Sequence, residues 1–182
     1  DRATVGARVV DVGAAMARAS RVRRSELLPA AMDLCSDVAW KAAEEGQWAA
    51  SQEDSVWLAF GIEGHREPVE RMVRQLLRMA GEERALAVNE YRGDEAASIW
   101  EQRHGVSPAL LKDAANAIRT KVSLPISSLA GVLRAVEGVA NRMNLRQAYA
   151  VHAGNGVGHI FLASGSGADD ALVAALDRLR EI

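Results

Sequence analysis

The chain has 182 residues, 49% of them hydrophobic and 25% charged, with a formal net charge of -2. That length suffices for one domain with its own core, and so balanced a charge excludes a basic field that would recruit nucleic acid. No apolar stretch approaches the roughly 20 residues of a membrane helix, and the lone Cys35 leaves no disulfide framework, so a reducing, cytoplasmic setting is the expectation.

Asp1 is not a natural start, so the chain reads as a piece of a longer protein, and native targeting is not legible. Residues 1–11 carry little signal. Val12 to Ser20 is Ala-rich and predicts a helix. Arg18, Arg21, Arg23 and Arg24 form a basic run that reads as a solvated face. Pro29 leads into a strand over Ala30 to Ser36, and residues 41–55 read as a polar loop or hairpin excursion. Val56 to Ile62 is an apolar run with Trp57 and Phe60, which fits a buried strand.

Pro68 suits a first helical turn. Val69, Met72, Val73, Leu76 and Leu77 then make one apolar stripe that Gly81 closes. Ala85 to Tyr91 predicts a strand. Asp94 can cap a helix bearing Ile99, Trp100 and Arg103, which Gly105 to Pro108 is expected to break. Residues 109–116 are ambiguous. Ala117 to Leu124 alternates as a half-buried strand does, and Pro125 ends it. Ser127 or Ser128 caps a helix with the stripe Leu129, Val132, Leu133, Val136, Ala140 and Met143, and Asn144 is its stop. A glycine hairpin follows, and Asp169 opens a last helix with Leu172, Val173, Leu176 and Leu179. This order predicts an α+β fold of two ferredoxin-like halves, a mainly antiparallel sheet with helices on one face.

Tyr149 to Leu162 carries most of the chemistry. Two apolar runs flank a loop with glycine at 154, 156 and 158, and His152 and His159 stand at its mouths. Pairing His152 with His159 would set Val151 against Ile160 on an apolar face and both imidazoles on the other. Two imidazoles so placed suit one metal ion or one anionic substrate. The bland alternative is a turn chosen for its backbone angles, with two incidental histidines.

The loop is not a dinucleotide fingerprint, because a strand and not a helix follows it. It is not a phosphate loop, because no Gly-Lys-Ser/Thr follows. His65 and His104 read as surface or capping residues, Trp100 as core, and Cys35 as a packed thiol. Arg103 suits the end of its helix, where a cation is favourable anyway. Arg119 points opposite to Ile118 and Thr120, to solvent or into a cleft.

His-Ala-Gly-Asn-Gly-Val-Gly-His at 152–159 resembles the His-x-Gly-Asp-Gly-Asn-x-His segment of FAD-linked oxidases of the vanillyl-alcohol oxidase type, in the D-lactate dehydrogenase and glycolate oxidase branch. Trp57 to Gly64 resembles that family's strand ending in Glu-Gly. Ile99 to Arg103 is similar to its Leu-Trp-x-x-Arg helix, and Arg119 to Ser127 to its Lys-Tyr-Asp-Val-Ser-Leu-Pro strand. The resemblance spans about residues 27–182.

The resemblance implies that residues 1–182 are a single C-terminal cap or substrate domain. A separate N-terminal FAD-binding domain, absent from this chain, would hold most of the cofactor. It implies His152 and His159 as catalytic residues and as ligands of a divalent metal. It further implies Arg103, Ser107 and Arg119 as contacts to a small anionic 2-hydroxy acid, and Asn155 and Gly156 as cofactor contacts. An iron-sulfur or electron-transfer subunit is an implied partner. The match departs where Val157 replaces a polar residue, where Thr120 and Lys121 replace Tyr-Asp, and where Phe161 stands in place of a polar contact in some members. The family's acidic metal ligand and its neighbouring histidine would lie beyond Ile182. A non-catalytic ferredoxin-like interaction or regulatory domain is the alternative from a different class.

Overall fold

Among the described residues, seven strands and six helices follow one another in an order that repeats in part. A computed structural model describes residues 1–49, 55–82, 85–112, 117–165 and 169–180. Within these, the strands are β1 (Arg2–Val9), β2 (Ala31–Ser36), β3 (Val56–Glu63), β4 (Ala85–Arg92), β5 (Ala117–Ser123), β6 (Arg146–His152) and β7 (Val157–Ala163). The helices are α1 (Val12–Arg23), α2 (Asp37–Glu45), α3 (Arg66–Gly81), α4 (Gly93–Lys112), α5 (Leu129–Arg142) and α6 (Asp169–Arg180). One antiparallel sheet runs in the order β4-β1-β3-β2-β6-β7-β5. The first half, β1 to β4, has the 4-1-3-2 order of a ferredoxin-like unit. In the second half β5, β7 and β6 repeat the 1-3-2 part of it, and β2 and β6 join the halves.

The predicted α+β architecture, its ferredoxin-like halves and its antiparallel sheet are all present. Helices α1, α3, α5 and α6 cover one face through a core that includes Val5, Phe60, Leu76, Leu133 and Leu162. The structure adds a second layer: α2 and α4 lie across part of the other face, over Cys35, Ala148, Ala150 and Phe161. That second face is therefore half sealed and half open, and its open half holds the site.

Four segments differ from expectation. Residues 2–9 form a central strand, with Ala3, Val5, Ala7 and Val9 buried on one face. Its small side chains give little β signal, but they are what lets it pack in the middle. At Gly6 a Cβ would lie 2.9 Å from the Tyr91 ring. Residues 37–45 form α2, capped by the Ser36 hydroxyl, which accepts from the Ala39 N–H, and ended by Gly46 in the left-handed region (φ 72°). Residues 50–54 of the expected excursion lie outside the described residues.

α4 runs through Pro108 without breaking. An interior proline costs about 3 kcal/mol. Burying Val106 and Leu110 stabilises by about 1.5–3 kcal/mol each, and both are fully buried on α4, so burial outweighs the lost N–H. The ambiguous stretch accordingly continues the helix to Lys112, and residues 113–116 lie outside the described residues. The basic run is only partly a solvated face. Arg18 is buried and donates to the carbonyls of Ala80 (2.9 Å) and Ala14 (3.2 Å), tying α1 to the end of α3, and Arg21 pairs with Glu82.

Candidate functional site at the open half of the sheet

β2 carries a carboxylate where its neighbours are apolar. Asp33 is 5% exposed and stands directly across from His152 of β6 in the sheet register. A buried carboxylate must be paired, and Asp33 has two partners. His152 Nδ1 lies 2.7 Å from its Oδ1, within hydrogen-bond reach. Arg103, brought over the sheet by α4, places Nε 2.8 Å from its Oδ2, close enough for an ion pair though not aligned as a hydrogen bond. The other side of His152 is open: its side chain is 52% exposed.

The hairpin closes two residues tighter than expected. His152 pairs with Val157, and His159 pairs with Ala150, so the histidines are not directly opposed. The cause is the turn over residues 153–156. The N–H groups of Asn155 (3.2 Å) and Gly156 (2.9 Å) both donate to the His152 carbonyl. The Asn155 side-chain oxygen accepts from the Val157 N–H at 3.0 Å. Gly156 takes φ 77°, and a Cβ there would lie 2.0 Å from the Leu124 carbonyl oxygen. A shift of two residues preserves the faces, so both imidazoles still share the open one, as diagonal neighbours roughly 7–8 Å apart at Cα.

Strand β5 brings the remaining cations. Lys121 stands across from His159 and Arg119 across from Phe161, and both are exposed on the histidine face. His159 is half-buried, and its Nδ1 is buried with no hydrogen-bond partner among the described residues. Burial, then Arg119, Arg103, Lys121 and His152, hold its pKa below the usual 6.5, so it is neutral at neutral pH. Ser107 is half-buried one turn along α4 from Arg103 and therefore on the same side of that helix.

Residues 1–182 match the family described as FAD linked oxidases, C-terminal domain. The chain belongs to that family. Solved structures agree on the fold of this FAD-linked oxidase domain. It superimposes on alkyldihydroxyacetonephosphate synthase in two crystal forms, at TM-score 0.68 in both, with 12% and 14% identity, covering 100% of this chain and 38% and 39% of those chains. It also superimposes on 4-ethylphenol oxidase from Gulosibacter chungangensis in an isoeugenol complex, at TM-score 0.61 and 13% identity, covering 100% of this chain and 43% of that one. The domain thus spans less than half the length of these proteins. No curated protein sequence matches it. None of its described helices is long and apolar enough to cross a membrane.

The sequence pointed to His152, His159, Arg103, Ser107 and Arg119. It passed over Asp33, although a single acid inside Ala31–Cys35 was the signal for a paired buried carboxylate. It also passed over Lys121 as a site residue, although alternation puts it on the Arg119 face. His65 and His104 are exposed, as expected. Trp100 is half-buried, and its Nε1–H donates to the Thr4 hydroxyl at 2.9 Å.

Among the described residues no three His, Cys, Asp or Glu side chains converge as ligands, so a metal is not supported. The open face offers cations, two imidazoles and an orphaned buried ring nitrogen, a set of polar groups suited to a ligand arriving from outside.

Proposed function

We propose that this domain is the substrate-side cap of a flavin-dependent oxidoreductase that oxidises a small 2-hydroxy acid, with FAD held mainly by an N-terminal domain. One observation carries the reading: a buried carboxylate grips one nitrogen of a half-exposed histidine on an open, cationic face. With Asp33 accepting from Nδ1–H, the lone pair of His152 lies on Nε2, which faces away from Asp33. Nε2 takes the proton of the substrate hydroxyl as C2–H leaves as hydride with its electron pair, giving a 2-oxo acid. Bound oxidised flavin supplies the hydride acceptor.

Other residues position the substrate. Arg119 and Lys121 bind the carboxylate by charge-assisted hydrogen bonds. Neutral His159 is a hydrogen-bonding partner that adds no competing charge beside them. Arg103 fixes the second oxygen of Asp33, and Ser107 extends the same helix face towards the substrate. Asn155 and Gly156 contribute by shaping the turn at the rim where the cofactor lies. The names 4-ethylphenol oxidase and alkyldihydroxyacetonephosphate synthase stand for other chemistry, on chains of which this one spans 43% and 38%. What favours an acid here is the pair of exposed cations that β5 places on the same face of the sheet as the base.

The test is the visible spectrum of the full-length protein, followed anaerobically as D-lactate, glycolate and D-2-hydroxyglutarate are added in turn. Bleaching of a flavin spectrum by one of them is the expected result. A full-length protein without flavin, or a flavin that none of the three reduces, would contradict it.

A further inference from the structure

We infer that a second subsite, for an uncharged aryl or alkyl side chain of the substrate, lies in the cleft along the outer side of α4. This inference rests on the reading of His152 as the base that takes the hydroxyl proton. The cleft encloses about 1030 Å³, at the upper end of the range for small-molecule pockets. Gly93, Ala96, Ala97, Trp100, Glu101 and His104 line it from α4, at the spacing of a single helical stripe. Its floor comes from the sheet, where Thr4, Ala31 and Gly61 share the face under α4.

Its chemistry is apolar at the centre, with Asp1, Arg2, Glu63, Arg92 and Glu101 at the rim. Trp100 sits directly on the Gly61 backbone, where an added Cβ would lie 2.9 Å from the indole. The one polar atom of that indole is tied to Thr4 at 2.9 Å, so the ring presents carbon to the cleft. The rim arginines already have partners: Arg2 pairs with Glu63 at 3.2 Å, and Arg92 pairs with Glu70 at 3.1 Å and with Glu90. Both rim arginines are thus already paired, whereas Arg119 and Lys121 on β5 are exposed.

Register sets this cleft beside Asp33. Ala31 and Asp33 are two residues apart on the same face of β2, a span of roughly 7 Å, and His104 follows Arg103 on α4. In this reading the substrate sets its carboxylate towards β5 and its hydroxyl at His152, and its side chain runs past Ala31 into the cleft.

Ala97 is exposed on the cleft wall, so Ala97→Leu narrows the cleft without disturbing the core. In the full-length flavoprotein, kcat/KM for D-3-phenyllactate should exceed that for glycolate by roughly 100-fold, since each well-placed carbon group contributes about tenfold or more. Ala97→Leu should lower that ratio about tenfold. Equal kcat/KM values, or a ratio that Ala97→Leu leaves unmoved, would overturn the subsite. If no 2-hydroxy acid reduces the flavin, the redox reading fails by itself, and calorimetric binding of 3-phenylpropionate against acetate decides the subsite. At least tenfold tighter binding of 3-phenylpropionate, lost in Ala97→Leu, supports the cleft independently; no preference removes it.

Discussion

Asp33 and Cys35 stand two residues apart on the same face of β2, and their surroundings give them opposite fates. Cys35 lies beneath α2 and α4 with Trp40 and Trp57, which stack at 4.9 Å. Burial pushes its thiol up to about 12, against the lowering effect of Arg103, so it stays protonated and inert. Asp33 is nearly as buried, but its two oxygens lead to Arg103 inside and to His152 at the surface. Burial alone therefore does not fix a side chain's chemistry: Asp33 is connected through His152 to the open face.

The largest expected effect breaks the Asp33 side. Asp33→Ala leaves the Arg103 guanidinium buried without its carboxylate, and losing one partner of a buried pair typically costs about 3–5 kcal/mol. Urea unfolding should show a loss of unfolding free energy of that size, with Asp33→Asn milder. A loss below about 1 kcal/mol would mean that solvent already serves both partners. Next comes the open face beyond His152. Replacing Arg119 and Lys121 together by alanine should raise KM for the acid by about 10–100-fold, with a smaller change in kcat, since charge-assisted bonds to the carboxylate are lost. Steady-state kinetics on the full-length enzyme reads this, and an unchanged KM would move the carboxylate elsewhere.

The Cys35 side sharpens the contrast at high pH. The folded thiol holds its proton up to about 12, whereas the unfolded one ionises around 9.0. The stabilisation is therefore complete below pH 9 and is lost as pH rises, by about 1.4 kcal/mol at pH 10. Cys35→Ala should flatten that alkaline slope in denaturation curves relative to the parent. The smallest effect belongs to His159. Its folded pKa lies below 6.5, so the unfolded chain takes up a proton first as pH falls. Stability is full above about 6.5 and declines below it. His159→Gln should remove that part of the acid slope, and an identical pH dependence in parent and variant would show that His159 is as solvated as a free imidazole.

Much of this was legible in the sequence, for identifiable reasons. The stripe from Val69 to Leu77 gave α3, and the alternation at Ile118, Thr120 and Val122 gave β5, because each buries one face against a single layer. The end of α5 was equally plain, since Asn144 takes the left-handed conformation (φ 52°) expected of a helix stop. β1 escaped notice because its residues are small so that Tyr91 and Trp57 can close over Gly6. The path of α4 through Pro108 depends on the core it covers, which no local rule reports. His152 and His159 were found by their place beside the glycines. Their offset was not, because the register turns on Gly156 meeting the Leu124 backbone, a contact between segments 32 residues apart. Asp33 went unnoticed because its partners lie 70 and 119 positions away in the chain.

In the proposed reaction Asp33 fixes His152 as the base of a flavin-linked oxidation. The most direct test is the anaerobic single-turnover rate of flavin reduction in the full-length protein, measured for the parent and for His152→Gln. The expected rate in the variant is at least about 100-fold lower, with an unchanged flavin content. Equal rates would contradict it.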